Sequence, residues 1–137
     1  MSIDVLANAR SLGPSLSDRA EAIETQRRLP EDVVSDLQNA GLFRLFVPTS
    51  FGGPELDVET AVTSIAEVAR HDGAAGWCVM IAGTTSLLAG FLPEEYGELI
   101  YGPSNSCTGG FAAPVGKAKV VDGGLSVTGT WEWGSGS

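Results

Sequence analysis

A long stretch without a charged residue, from Gly73 to Pro93, constrains the fold more than any other feature of the sequence. As a helix, this stretch is long enough to cross a bilayer. However, Gly, Ser and Thr recur through it, and such small residues suit the close packing of neighbouring helices in a folded core. The stretch therefore predicts a buried helix at the centre of a helical domain, in a protein that is not inserted in a membrane.

Composition and charge narrow the classes of function. The chain has 137 residues, of which 43% are hydrophobic and 18% charged, so it carries enough apolar surface to form a core. Its net charge of −9 predicts no nucleic-acid partner, because an acidic surface is repelled by phosphates. The first residues lack the basic and apolar segments of a secretory signal, which predicts a cytoplasmic protein.

The residues that most often carry chemistry are few. Cys78, Cys107 and His71 lack the spacing of a metal site, so we predict no metal and two buried or half-buried thiols. His71 and Asp72 are adjacent, and such a pair can assist proton transfer. Their place at a helix boundary favours instead a surface or boundary position for His71, and an Asp72 that caps the uncharged helix. No catalytic residue is predicted.

Apolar periodicity predicts helices within residues 4–40, 58–70 and 73–93. Ser15 begins a capping-box pattern, and Pro30 suits the first position of a second helix. Residues 42–48 predict a short extended run, followed by a loop rich in turn residues. The apolar stripe of the helix at 58–70 is predicted to consist of Val58, Ala61, Val62, Ile65, Ala66 and Ala69.

The pattern changes after residue 103. A short helix is predicted after Pro93, and beyond it lie Gly-rich turns and β-type runs, including a hairpin turn at Asp122-Gly123-Gly124. We therefore predict a helical domain over residues 1–103 and the first strands of a β domain over residues 104–137. So few strands cannot close a sheet by themselves.

Three segments, taken together and in order, resemble one known family. They are "RRLPEDVVSDLQNAGLFRLFVPTSFGGPELD", "AEVARHDGAAGW" and "TGGFAAPVGKAKVVDGGLSVTGTWEWGSG". This order is similar to that of the acyl-CoA dehydrogenase-like flavoproteins. The resemblance implies a mainly α fold: an acyl-CoA dehydrogenase-type N-terminal helical domain followed by an incomplete β-barrel segment. It also implies a flavin, FAD or FMN, where these parts meet a C-terminal helical bundle of the parent protein.

The same resemblance implies which residues contact the cofactor. The family's flavin-contacting strands correspond to Phe111, Ala112, Ala113 and Pro114, and to Trp131, Trp133 and Ser135. A tryptophan offers a flat face to the flavin ring, although an ordinary strand would also place Trp131 and Trp133 on one side.

In the uncharged helix, the hydroxyls of Thr84 and Thr85 are candidates for contact with substrate. The alternative is simple helix packing, with both hydroxyls bonded to the backbone.

The resemblance leaves three functions open. The first is α,β-dehydrogenation of an acyl thioester. The second is flavin-dependent monooxygenation, because residues 131–136 follow a Trp-x-x-x-Ser-Gly pattern similar to that of reductase-dependent monooxygenases. Residues 83–86 lack the His that several of those enzymes carry, which weakens this alternative. The third is a non-catalytic helical module that binds a partner.

For the parent protein, the resemblance implies a small-molecule or acyl-CoA substrate and a homo-oligomer. Residues 1–137 alone are expected to be inactive, because the family keeps its catalytic glutamate in the C-terminal domain.

Overall fold

The computed structural model describes residues 3–111, 113–132 and 134–135, and this part of the chain is mainly helical. Its elements are α1 (Val5–Gln26), α2 (Glu31–Asn39), α3 (Val58–His71), α4 (Gly73–Thr85), α5 (Glu94–Tyr101), β1 (Lys117–Val121) and β2 (Gly124–Thr128). Two 3-10 segments, Thr49–Phe51 and Ser86–Phe91, lie between helices. The helical fold predicted from the sequence is confirmed.

Helix α1 begins well before the predicted capping box. The Asp4 carboxylate accepts a hydrogen bond from the main-chain N–H of Ala7 at 3.0 Å and caps the helix. Ser15 lies inside α1, where its hydroxyl accepts a hydrogen bond from Arg19 at 2.9 Å. The predicted helix start at Ser15 is wrong, because a single buried face of α1 runs from Val5, before Ser15, to Ile23, after it. The residues of that face are Val5, Ala9, Gly13, Leu16 and Ile23.

The main core lies where α3 packs between α1 and α4, with α2 and the segment after it filling the remaining space. Full burial of one such apolar side chain contributes about 1.5–3 kcal/mol. The largest fully buried apolar side chains are Leu16, Leu37, Leu42, Leu45, Val5, Val33, Val47, Val68 and Val79.

The segment after α2 turns instead of extending. The main-chain N–H of Leu42 donates to the carbonyl of Leu37, and that of Val47 donates to the carbonyl of Arg44, both at 3.0 Å. Leu42, Leu45 and Val47 are fully buried, and the carbonyls of Leu45 and Val47 accept hydrogen bonds from the main-chain N–H groups of Leu56 and Glu55, at 2.9 and 3.0 Å. The predicted extended run over residues 42–48 is therefore wrong.

Helix α3 buries a narrower face than predicted. Ala61, Ser64 and Val68 are fully buried, whereas Val58 is 68% exposed and Val62 is 56% exposed. The Ser64 hydroxyl is satisfied by the Thr60 carbonyl at 2.8 Å, which lets a polar residue occupy the core face. The predicted stripe is therefore wrong in part: Ala61 is buried as predicted, but Val58 and Val62 are exposed and Ser64 is buried.

The uncharged stretch forms α4 followed by a 3-10 segment. Asp72 caps α4 as predicted, since its carboxylate accepts a hydrogen bond from Ala75 at 2.7 Å. By length and composition alone, Gly73–Phe91 could cross a membrane, and 39% of its 18-residue window is buried in the protein. Core helices of soluble proteins can have the same properties, so a location outside the membrane stays a prediction.

The predicted hairpin is present. Strands β1 and β2 pair antiparallel, with Lys117 opposite Thr128 and Val121 opposite Gly124. Gly123 in the turn has a φ of 79°, which glycine adopts without steric cost. Every residue of both strands is exposed. The domain boundary near residue 103 stays a prediction.

Candidate functional site

The segments on either side of the hairpin meet at Trp131. A Cβ atom added to Gly116 would lie 2.4 Å from the Trp131 ring, and one added to Gly129 would lie 2.6 Å from it. Only glycine therefore allows the ring to lie so close to the backbone at both positions. The Phe111 ring lies with its centroid 6.1 Å from that of Trp131, at an interplanar angle of 39°. Two predicted contact residues from separate segments thus form one aromatic pair.

Ser135 is held by a residue that the sequence did not indicate as part of the site. The indole N–H of Trp77 donates a hydrogen bond to the Ser135 hydroxyl at 2.9 Å. Trp77 lies on α4 and is 55% exposed, so it joins the core helix to the last described residues. Trp77 ends the segment "AEVARHDGAAGW", which resembles the family, and this position was the one feature of the sequence that could have indicated Trp77 as a site residue.

Thr84 and Thr85 both bond to the backbone. The Thr84 hydroxyl donates to the Met80 carbonyl at 2.7 Å, which is typical of a helix surface. The Thr85 hydroxyl lies 2.9 Å from the Ile81 carbonyl, 2.8 Å from the Thr108 carbonyl and 2.9 Å from the Thr108 hydroxyl. Thr85 therefore joins α4 to the segment that leads to Phe111, and contact of either threonine with a substrate stays a prediction.

The remaining predicted positions lie on or near the same segments. Ala112 and Trp133 fall outside the described residues. Ala113 and Pro114 are exposed, and the carbonyl of Ala113 accepts a turn hydrogen bond from Val115 at 2.9 Å. Within the described ranges, the main-chain N–H groups of Gly110 and Phe111 make no hydrogen bond. The arrangement offers exposed aromatic faces beside free N–H donors, which suits a flat ligand that carries carbonyl acceptors.

His71 lies in the interface between α1 and α3. Its Nδ1 is 2.9 Å from the Ser17 hydroxyl, and its Nε2 is 2.9 Å from the Arg70 guanidinium. Because the guanidinium can only donate, neutral His71 carries its proton on Nδ1 and donates it to Ser17. His71 is the last residue of α3, so it lies at the helix boundary as predicted.

The two cysteines line one cavity of about 380 Å³, together with Phe43 and Ile81. Cys78 is half-buried, as predicted, whereas Cys107 is exposed as a whole residue although its sulfur is partly desolvated. Burial of the sulfur atoms raises the pKa of both thiols, which therefore stay protonated near neutral pH. In the part of the chain that the structure describes, no group of His, Cys, Asp or Glu residues could hold a metal ion.

Comparison with known proteins decides the family. Residues 9–98 match the profile described as acyl-CoA dehydrogenase, N-terminal domain. This chain belongs to that family. The resemblance stated from the sequence is confirmed, as is the mainly helical fold of the family.

The similar proteins with curated names are monooxygenases. The chain is 35% identical over 134 residues to the flavin-dependent monooxygenase oxygenase subunit HsaA of Mycobacterium tuberculosis, covering 96% of this chain and 34% of HsaA. It is 32% identical over 142 residues to indole-3-acetate monooxygenase of Pseudomonas putida, covering 96% of this chain and 36% of that protein. The chain thus spans about a third of the length of these relatives.

Solved structures give the same result. The crystal structure of 3-HSA hydroxylase from Rhodococcus sp. RHA1 matches with a TM-score of 0.90 and 32% identity, covering 97% of this chain and 35% of that one. XiaF from Streptomyces sp., in complex with FADH2 and glycerol, matches with a TM-score of 0.87 and 26% identity, covering 96% and 34%. These relatives favour monooxygenation over dehydrogenation, which reverses the order of the first two functions considered from the sequence.

Proposed function

We propose that this chain forms the N-terminal part of the oxygenase component of a flavin-dependent monooxygenase that acts on a small aromatic substrate. The observation that carries this proposal is the 35% identity to the HsaA oxygenase subunit over 134 residues. That alignment covers 96% of the chain, so it is not confined to the helical part. Dehydrogenation of an acyl thioester becomes the second candidate, supported by the family profile.

The described residues fit a flavin, either FAD or FMN. Phe111, which packs against Trp131, is 47% exposed, and Trp77, which binds Ser135, is 55% exposed, so each keeps free aromatic surface. The free N–H groups of Gly110 and Phe111 could donate to ring carbonyls. When bound, a reduced flavin supplies the electrons with which molecular oxygen is activated. The role of the aromatic side chains is to orient the ring and exclude water from one side of it.

The hydrogen bond from Trp77 leaves the Ser135 hydroxyl free to act as a donor. Its hydroxyl oxygen accepts the hydrogen bond from the Trp77 indole, so the single Ser135 proton is available for another acceptor. We assign that acceptor to the flavin. Trp77 is then a positioning residue, because it fixes the Ser135 hydroxyl without itself needing to contact the reacting atoms.

Flavin binding is tested by titrating the purified protein with FMN and with FAD, oxidised and reduced, and following the absorbance of the flavin and the tryptophan fluorescence. In the protein expressed from the complete coding region, Trp131→Ala should weaken binding by about tenfold or more, equivalent to about 1.4 kcal/mol. Tyr96→Ala removes an exposed aromatic ring from α5 and should leave the affinity unchanged. Equal affinity of the Trp131→Ala and unsubstituted proteins would show that Trp131 does not contact the flavin.

The reaction is tested in the protein expressed from the complete coding region. With reduced flavin supplied, we expect oxygen-dependent hydroxylation of a phenol or an indole. Acyl-CoA should fail to bleach the bound oxidised flavin. Bleaching by acyl-CoA without any hydroxylation would instead support the dehydrogenase.

We also propose a cytoplasmic homo-oligomer that binds no nucleic acid and does not enter a membrane. The net charge of −9 supports the part of this proposal that concerns nucleic acid. The third function, a non-catalytic module, is favoured only by the exposed strands of the hairpin, which could pair with another chain. Sedimentation of the protein with and without flavin distinguishes a flavin-binding oligomer from such a module.

A further inference from the structure

Arg44 is a buried cation that has no anionic partner among the residues that the structure describes. It is 8% exposed, and its Nη2 donates hydrogen bonds to the main-chain carbonyls of Tyr101 and, at 2.9 Å, of Phe51. Among the described residues it forms no ion pair, its Nε has no partner and its Nη1 makes no hydrogen bond. The chain contains 17 acidic residues, so the absence of a paired carboxylate is not explained by composition.

The two carbonyls explain the position of Arg44 but do not balance its charge. Phe51 ends the first 3-10 segment and Tyr101 ends α5, so Arg44 bonds to the partly negative ends of two elements. These are dipoles rather than full charges. Burial accordingly lowers the pKa of Arg44, and three of its five N–H donors remain unused.

Arg44 is one of the residues that line a cavity of about 520 Å³. Its wall carries amide and hydroxyl side chains and no carboxylate. The Glu55 carboxylate lies close by but is bound to Thr49, accepting hydrogen bonds from its main-chain N–H and its hydroxyl, each at 2.8 Å. The lining residues are Ile3, Gln38, Asn39, Arg44, Thr49, Gly52, Gly53, Pro54, Ser104 and Asn105.

We propose that this cavity binds a small organic acid with a single carboxylate, which pairs with Arg44 while its polar body contacts the amides of Gln38, Asn39 and Asn105. One guanidinium balances one negative charge. A ligand with more negative charge would be repelled by a chain whose net charge is −9. The side-chain amide of Gln38 donates to the Asn105 carbonyl at 3.2 Å, so two of the lining residues are joined to each other.

Binding is tested with L-lactate as the probe, titrated into the isotope-labelled protein and followed by proton–nitrogen NMR. We expect saturable shifts of the side-chain amide signals of Gln38, Asn39 and Asn105, and of the buried Nε–H signal of Arg44. Sodium chloride at equal ionic strength should not reproduce them. Shifts that do not saturate, or that chloride reproduces, would overturn the proposal.

A charge placed on the wall tests the site without disturbing the hydrogen bonds of Arg44. Ser104→Asp should weaken lactate binding by about fivefold, equivalent to about 1 kcal/mol, because it adds a second negative charge to the wall of the cavity. Ser126→Asp makes the same change on exposed β2 and should have no effect. Equal affinities of these two variants would contradict the proposed site.

Two further measurements complete the test. Arg44→Lys, where circular dichroism shows that it folds, should lose saturable lactate binding. If it does not fold, the comparison of Ser104→Asp with Ser126→Asp decides the matter alone. Inorganic phosphate should bind more weakly than lactate, and tighter phosphate binding would overturn the assignment of a ligand with one carboxylate.

Discussion

The helices of this chain bury many of their large apolar side chains, whereas the hairpin exposes its own. Leu37 in α2 is fully buried, whereas Leu125 in β2 is 64% exposed, although both belong to apolar positions of regular elements. The helical part covers its own core with α1, α3 and α4. The two strands of the hairpin are joined by their own hydrogen bonds and their turn, and all of their residues are exposed. Backbone pairing thus suffices to define a hairpin in this chain, but burial requires a further layer.

The largest expected effect is the difference in stability loss between a leucine removed from the helical core and one removed from the hairpin. Leu37→Ala should lower the free energy of unfolding by about 2–5 kcal/mol, because it leaves a cavity in a packed core. Leu125→Ala should change it by about 0.5 kcal/mol or less. Urea denaturation followed by circular dichroism measures both. Similar losses from the two variants would show that the hairpin is covered in solution.

The next effect concerns the contact of α1 with α3. A Cβ atom at Gly13 would lie 2.2 Å from Nε2 of His71, so Gly13→Ala should cost about 1–3 kcal/mol of stability. Gly73→Ala is the matched control, because a Cβ atom there meets no atom within 4 Å.

A double substitution makes this test specific. Adding His71→Ala to Gly13→Ala should recover part of the loss, since the ring that collides with the new methyl group is then gone. Thermal unfolding of the single and double variants measures the coupling. Additive losses would mean that the two residues do not meet.

Loss of a helix cap should have a smaller effect. Asp72→Ala removes the acceptor for the Ala75 N–H at the start of α4 and should cost about 1 kcal/mol. Asp122→Ala, in the turn of the hairpin, should cost about 0.5 kcal/mol or less. Denaturant midpoints measure both, and an unchanged midpoint for Asp72→Ala would argue that α4 is held by packing alone.

The smallest effect is a change in titration. The pKa of Asp57 is lowered first by the hydrogen bond from the Thr60 side chain and then by the Thr60 main-chain N–H. Thr60→Val should therefore raise the pKa of Asp57, and Thr60→Ser should largely preserve it. A lowered pKa stabilises the fold above the pKa of the unfolded chain, and this is lost as the pH falls through the folded value. Carbon NMR of the carboxyl group measures the pKa, and the stability difference between the two variants should vanish in acid.

Features set by neighbouring residues could be predicted from the sequence. Asp72 caps α4 and Asp122-Gly123 forms a hairpin turn because each depends on a few adjacent atoms. The start of α1 and the buried face of α3 could not be predicted, since partner helices decide which residues are covered. Ser64 in the core shows this clearly, because its backbone hydrogen bond compensates for its polarity.

The candidate site divides in the same way. Family resemblance located Phe111, Trp131 and Ser135, and the structure brings Phe111 and Trp131 together. It could not indicate the hydrogen bond of Trp77 to Ser135 or that of Thr85 to Thr108, because each joins residues far apart in sequence. Such contacts depend on the packing of the tail against α4, which local patterns do not encode.

The order of the elements along the chain also affects synthesis. Every buried residue of the two apolar clusters lies between Val5 and Tyr101. Once Tyr101 has emerged from the ribosomal exit tunnel, all buried residues of both clusters are outside the ribosome. At that point β1, β2 and Trp131 are still inside the tunnel or not yet synthesised. The helical part can therefore fold during translation, and the segment that carries the aromatic pair then meets a surface of α4 that is already in place.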